Sequence, residues 1–466
     1  MAELLRSRRP LPPGPSPLSD EEVQTFIREG VVVIRGALSP EEVTNAREGL
    51  HAHLRGAVGL DVTDLDGTAS GLRALSSTNG SGGVLDVWYP PFKLELMQHP
   101  LLFAMMSQLW AATFAAYRAE EEGEGGTSSA DGLYRHRHGP FDARRGFAYI
   151  DRVGFRVPSR VAKLHEQRLD TGTAQGSHSK TEKRKKRARP LQRSLTPHLD
   201  CCPHQLHGLV QGGKAVRKWR PLQSFVALTD TLHPDEGGFE AAKAFHHDFD
   251  EWAERRAGRG GSQTDAAGGA ATAAANSGDA SPLPPPCVGE FTPIRPGEDA
   301  EVLRRMAHVP CRAGDLIVWD NRIPHANSRE NRPFAPSPDA PLESGSAAES
   351  SAPTGAASEG EGAPEAAVQS AAGERAREVV YLGWLPDVLL NREYVAAQLS
   401  RFRAGVSPVD QWQEMPSVGH KSPPAEPEQH ASHGDVHTRD KAHDGEAPLE
   451  FQFSELGRKL FGIESW

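Results

Sequence analysis

His198 and Asp200 stand two residues apart in the stretch Leu195-Thr196-Pro197-His198-Leu199-Asp200. Read as a strand, that spacing puts both side chains on one face. An imidazole nitrogen and a carboxylate oxygen then reach the same metal ion. A second His from elsewhere would complete a 2-His-1-carboxylate set, which holds Fe(II) and leaves positions open for substrate and oxygen. The chain has 20 His and 62 acidic residues, so chance His-x-Asp pairs are expected, and there are three more. His233-Pro234-Asp235 lies in a turn beside Gly237-Gly238. His246-His247-Asp248 opens a helical pattern running to Trp252, where positions i and i+2 diverge. His433-Gly434-Asp435 lies in a polar tail. The first pair alone has a strand around it, and a surface His beside an Asp is the plain alternative.

The elements that must position this pair are spread through a long chain of low apolar content. The chain has 466 residues, 37% hydrophobic, with 46 Gly and 37 Pro. Much of the Gly, Pro, Ala and Ser is gathered in low-complexity blocks, so one core of roughly 250–300 residues is expected. A net charge of -10 gives no electrostatic case for nucleic acid or an anionic membrane. Cys201, Cys202, Cys287 and Cys311 lack the spacing of a zinc site or a secreted disulfide framework, which points to a reducing compartment. The N-terminus has no apolar segment of the signal-peptide kind. The uncharged run Leu101 to Tyr117 barely reaches spanning length and reads as a buried helix after Pro100.

In chain order, residues 1–17 are rich in Pro and Arg and read as disordered. Ser19 and Ser39 each open a Ser-x-x-Glu capping box, ahead of helices that end at Gly30 and near Leu54. Val31 to Ile34 between them is a buried-strand run. Residues 57–83 read as loop, and Val84 to Trp88 as a short strand. Asp151 to Val157 alternates as a half-buried strand does. Further strands are expected over Gln223 to Thr229, Leu316 to Trp319 and Val379 to Leu385, with a helix between Pro386 and Phe402. Low-complexity insertions are read at about 166–193, 256–286 and 335–373, with a polar segment at 416–447. Residues 448–466 are expected to form a helix that docks on the core. The basic run Lys183 to Arg187 reads either as a nuclear localisation signal or as a solvated loop. The cytoplasm is the expected location, with that run the one feature favouring the nucleus. Helices first and short strands after, joined by long loops, suit a helix-flanked antiparallel barrel or jelly roll.

Taken together, Thr196-Pro197-His198-Leu199-Asp200, Gly314-Asp315-Leu316-Ile317-Val318-Trp319 and His325-Ala326-Asn327-Ser328 resemble the phytanoyl-CoA dioxygenase family. The turn Gly237-Gly238-Phe239-Glu240 followed by Phe245-His246 fits the same pattern. So does the opening helix ending at Gly30. The resemblance spans residues 18 to 402 across three insertions. It implies an α+β, mainly β chain with a double-stranded β-helix core, cupin-like and flanked by N-terminal helices. The catalytic domain would run from 18 to 415. It further implies Fe(II) and 2-oxoglutarate as cofactors, with His198, Asp200 and His325 as the iron ligands. The far carboxylate of 2-oxoglutarate needs a cation, for which a bidentate Arg is suited. In the family this Arg begins the strand after the distal His. Arg377 matches that place, and Arg332 is the runner-up. The implied reaction hydroxylates a C–H bond of a small molecule with O2, turning 2-oxoglutarate into succinate. Asp200 favours hydroxylation, since related halogenases carry Gly or Ala there. The alternative is a non-catalytic cupin-like scaffold that binds a metal or ligand without turnover. No membrane span and no nucleic-acid partner are expected, and neither the substrate nor the oligomeric state can be read.

Overall fold

Apolar runs with no polar alternation need cover on both faces, and the chain supplies it with helices on one side and a second sheet on the other. The computed structural model describes residues 17–78, 80–116, 132–174, 191–201, 203, 218–259, 291–332, 375–408 and 451–466. The polar segment 416–447, the basic run 183–187, the insertion at 335–373 and most of the other two lie outside those residues.

The described chain opens with helix α1 (Asp20–Glu29), strand β1 (Val31–Ile34) and helix α2 (Pro40–Val58). Both helices start in complete capping boxes, at Ser19 with Glu22 and at Ser39 with Glu42, as the sequence predicts. Gly30 and Gly59 close them in the left-handed conformation. The stretch read as loop after residue 57 instead winds into α3 (Leu65–Thr68), capped by Asp64, and a 3-10 turn over Ala69–Leu75. Next come β2 (Val84–Leu85), α4 (Pro91–Met97), α5 (Pro100–Ala112), β3 (Gly146–Tyr149), β4 (Val153–Arg156) and α6 (Ser159–Ala174). Helix α6 therefore runs into the stretch read as the first insertion. Then follow β5 (His198–Leu199), β6 (Leu222–Ala227), β7 (Phe239–Ala242) and α7 (Phe249–Arg259), the last again entering a stretch read as insertion. The chain continues with β8 (Thr292–Pro293), α8 (Ala300–Arg305), β9 (Met306–His308), β10 (Leu316–Asp320) and β11 (His325–Asn327). It ends with β12 (Arg377–Pro386), α9 (Leu389–Arg403) and α10 (Glu455–Leu460). No helix among the described residues is long and apolar enough to cross a membrane.

Among the described residues, every pairing between these strands is antiparallel, and they make two sheets. The larger runs β1-β10-β6-β12-β4-β2, with β3 paired to the far end of β12. The smaller runs β8-β5-β11-β7-β9. Side chains of the large sheet divide by parity. Val32, Val226, Val318 and Val380 pack with the helices, and Val31, Phe225, Trp319 and Val379 pack with Leu199, Phe239 and Ala241 of the small sheet. The molecule is thus a mixed helix and antiparallel-sheet protein with one apolar cluster between its sheets. The last residues fold back onto the core: Phe453 lies 5.8 Å from the Phe402 ring, and the Trp466 indole donates to the Gly146 carbonyl at 2.7 Å.

Glu378, on the helix side of β12, ties that strand to α2. Arg47 donates to both of its carboxylate oxygens at 3.1 and 3.2 Å, and His51 Nε2 lies 3.0 Å away. Arg47 and His51 are four apart, so one helix face presents both. Burial pushes the Glu378 carboxyl up, but the bonds from His51 and Arg47 outweigh it and hold it below its ordinary value. A carboxyl lowered on folding contributes stability above its unfolded pKa and loses it as pH falls through the folded value. Glu378→Gln should therefore flatten the acid side of the stability profile below about pH 4.5, the value for a free Glu. Urea midpoints of both proteins from pH 6 to 3 read this directly, and parallel curves would refute it.

Candidate metal centre

Strand β5 is only two residues long, so the expected strand from Leu195 is shorter than its sequence suggests. Asp200 sits just past its end. The pairing that matters is His325 of β11, which stands directly opposite His198 of β5 and also opposite Ala241 of β7. Both histidines are held by backbone ladders, and both are buried.

Each imidazole is fixed by its Nδ1. His198 Nδ1 lies 2.8 Å from the Thr196 carbonyl, and His325 Nδ1 lies 3.1 Å from the Ile323 carbonyl. A carbonyl only accepts, so each Nδ1 carries a proton and each Nε2 is the atom left to offer a lone pair to a metal. Those two Nε2 atoms turn to the Asp200 carboxylate, at 3.3 Å from Oδ1 and 3.6 Å from Oδ2. The three candidate ligand atoms lie within 4.8 Å of one another. Among the described residues no other group of three His, Cys, Asp or Glu side chains converges in this way.

Electrostatics favour the ligating forms. Burial raises the Asp200 carboxyl, but the two histidines outweigh that and hold it well below its ordinary value, so it is anionic. Burial, and then the neighbouring His198, lower His325, so it is neutral. The Asp200 side chain keeps 23% of its surface, more than either histidine. Arg220 braces Asp200 from beside it. Its guanidinium pairs with Asp151 at 2.9 Å, approaches Asp200 at 3.7 Å and lies over the Tyr149 ring.

Aromatic rings of the cluster between the sheets pack against this group. Trp319 and Phe239 lie 5.2 and 5.9 Å from the His325 ring, and Phe225 lies 5.5 Å from Phe239. Arg377 lies over the far side of Phe225, its Cζ 5.1 Å from the ring centre. It is 3% exposed and begins β12, as expected. Arg332, the runner-up, is not brought here: its side chain is 58% exposed and pairs with Glu330. Gln223 faces the same space as Phe225 and donates to Asn321. His246 and His247 serve α1 instead, facing the carbonyls of Ile27 and Arg28.

Fold and site together define a class: two antiparallel sheets, helices on the outside, and a buried His-Asp-His group that could hold a metal ion. No protein-family model matches the chain, and no curated protein sequence matches it. Solved structures do. A hypothetical protein from Escherichia coli has 13% identity, with 96% of this chain and 82% of that one covered and a TM-score of 0.50. The GlcNAc-inducible gene 2 product of Candida albicans has 12% identity, coverage of 85% and 69%, and a TM-score of 0.49. HygX from Streptomyces hygroscopicus, solved with nickel and 2-oxoglutarate bound, has 12% identity, coverage of 79% and 88%, and a TM-score of 0.34. At 13% identity the likeness to the Escherichia coli protein is one of fold.

Proposed function

We propose that this chain is an Fe(II)- and 2-oxoglutarate-dependent dioxygenase that hydroxylates a C–H bond of a small molecule. One observation carries the reading. Two Nε2 atoms and one carboxylate converge while both Nδ1 protons are committed to backbone carbonyls. Three such donor atoms, all within 4.8 Å of one another, suit one cation between them. Two imidazoles and one carboxylate are the donor set of non-haem Fe(II) oxygenases. On this reading the two facing sheets are a double-stranded β-helix, and the likeness in sequence to phytanoyl-CoA dioxygenases is a likeness of chemistry as well.

In this scheme His198 and His325 hold the metal through Nε2, and Asp200 supplies the balancing charge. The carbonyls of Thr196 and Ile323 fix both tautomers, which keeps the lone pairs aimed inward. Arg377 takes the far carboxylate of 2-oxoglutarate, with Phe225 stacked on its guanidinium. Trp319, Phe239 and Phe225 exclude water from the interior, where competing reactions would otherwise intrude. When bound, iron and 2-oxoglutarate supply the oxidising chemistry: O2 is consumed, 2-oxoglutarate becomes succinate and CO2, and the C–H bond gains a hydroxyl.

The test is succinate formation. Full-length protein is mixed with Fe(II) and 2-oxoglutarate without oxygen, then exposed to air, beside His198→Ala. The expected result is succinate above background from the wild type and none from the variant. A wild type that forms neither succinate nor a visible iron–2-oxoglutarate absorption band would overturn the proposal.

A further inference from the structure

Arg377 is not the only buried cation at the inner end of β12. Its register partner across the ladder is Arg156 of β4. Directly opposed residues on adjacent strands project to the same face, and like charges there are destabilising. Both side chains are buried, at 1% exposure for Arg156 and 3% for Arg377. Arg156 makes one side-chain hydrogen bond among the described residues, from Nη2 to the Arg329 carbonyl at 2.7 Å. Its Nε and Nη1, and Nη1 of Arg377, are buried without a partner. Glu240 and Glu330 act on Arg156 through space, but no carboxylate forms an ion pair with either guanidinium among the described residues.

Two buried, unneutralised charges of one sign are costly to a fold unless something compensates them. Burial, and then the field of Arg377, push Arg156 down to about 10, still cationic at neutral pH. Gly154, two residues before Arg156 on β4, lets the Val379 side chain of β12 lie close against the strand. A Cβ there would lie 2.7 Å from Val379 Cγ2, and 3.4 and 3.5 Å from the Tyr381 hydroxyl and Arg377 Nη1. An anion would compensate the pair, and one carboxylate has about four lone-pair sites, enough for two guanidinium groups.

We infer that Arg156 is a second guanidinium for the distal carboxylate of 2-oxoglutarate, so that Arg156 and Arg377 clamp it from adjacent strands. The inference rests on the 2-oxoglutarate reading above and adds a residue to it. Arg156 is a cosubstrate-binding residue with no part in holding the metal. It selects a dicarboxylate over a 2-oxo acid that ends in a methyl group.

The experiment titrates two ligands into the full-length Fe(II) protein under anaerobic conditions, reading the visible absorption band. One is 2-oxoglutarate. The other is 2-oxobutyrate, which has the metal-binding end and lacks the distal carboxylate. Arg156→Met should weaken 2-oxoglutarate at least about tenfold and leave 2-oxobutyrate unchanged, with Arg156→Lys in between. Without ligand, Arg156→Met should melt at or above the wild-type temperature, because an unpaired buried charge is gone. Equal 2-oxoglutarate affinity in wild type and Arg156→Met overturns the inference and leaves the dioxygenase proposal standing. Equal weakening of both ligands also overturns it, since that marks a structural role. A wild type that binds neither ligand sinks the dioxygenase proposal itself.

Discussion

His325→Ala is expected to abolish metal binding and leave the fold in place. The backbone of His325 pairs with His198 and with Ala241, and neither pairing uses its side chain. What the substitution removes is one of three converging donor atoms. Loss of an outer-shell partner typically weakens a protein metal site by about 10–100-fold, and loss of a ligand should exceed that. Redox-stable Ni(II) is the convenient probe. At a free concentration of about 100 times its Kd, a metal that binds only the folded state adds about 2.7 kcal/mol of stability. The wild type should therefore gain several degrees in melting temperature with Ni(II), and His325→Ala should gain none. Each protein is compared with itself, metal-free and metal-loaded, so any intrinsic cost of the substitution cancels. A variant that keeps the full metal-dependent rise would show that the metal sits elsewhere.

The histidines and Asp200 were legible because their chemistry is carried by residue type and order. What the sequence could not show is why they work together. The strand expected from Leu195 shrinks to two residues, so Asp200 converges through the bend after β5 and not through strand parity. The carbonyls that fix the imidazoles belong to Thr196 and Ile323, each two residues before its His. Backbone acceptors leave no mark on a residue pattern. Arg377 was legible through the family resemblance, two residues ahead of the strand expected from Val379. Arg156 was not, because it reads as one more polar phase in the alternation from Asp151 to Val157. Only the register of β4 against β12 makes the two a pair. Gly154 likewise reads as a neutral residue until its neighbours are known.

The elements divide in the same way. Val31 to Ile34 and Leu316 to Trp319 are unbroken apolar runs, and both prove to be neighbouring strands covered on two faces. Ser19 and Ser39 mark their helix starts by local chemistry that needs no partner. β3 and β7 were missed. Gly146 to Tyr149 carries Gly and two aromatics, and Phe239 to Ala242 carries Glu240 and two alanines, so neither shows a clean period. Both exist because of their ladders, β3 against β12 and β7 against β11 and β9. The 3-10 turn over Ala69–Leu75 was read as loop because its Gly and Ser content is that of a loop, and the burial of Ala69 and Leu72 holds it together.

Strand β12 carries Arg377 at one end and Trp384 near the other, and Trp384→Ala should be the most destabilising single change in the sheet. Trp384 is fully buried on the helix side, beside Phe103 of α5. Its indole N–H donates to the Met97 carbonyl at 3.1 Å, at the end of α4 where no further helical donor is available. Its backbone pairs with Ala148 of β3. Truncating a buried Trp to Ala typically costs about 3–5 kcal/mol, from lost transfer energy and the cavity left behind. A domain is stable by only about 5–15 kcal/mol, so this one change removes a large fraction of the total. Trp384→Phe separates the two parts, since it keeps a buried ring and strands the Met97 carbonyl, at about 1–3 kcal/mol. Urea denaturation of the three proteins ranks them, with wild type most stable and Trp384→Ala least. The consequence reaches the site. β12 spans from the α4–α5 side to the arginine pair, so a loosened Trp384 end should raise the Kd for 2-oxoglutarate far less than it lowers the urea midpoint. If instead the two fall together, the arginine end of the strand has no rigidity of its own. The ladders of β4 and β6 on either side of Val379 and Val380 argue against that outcome.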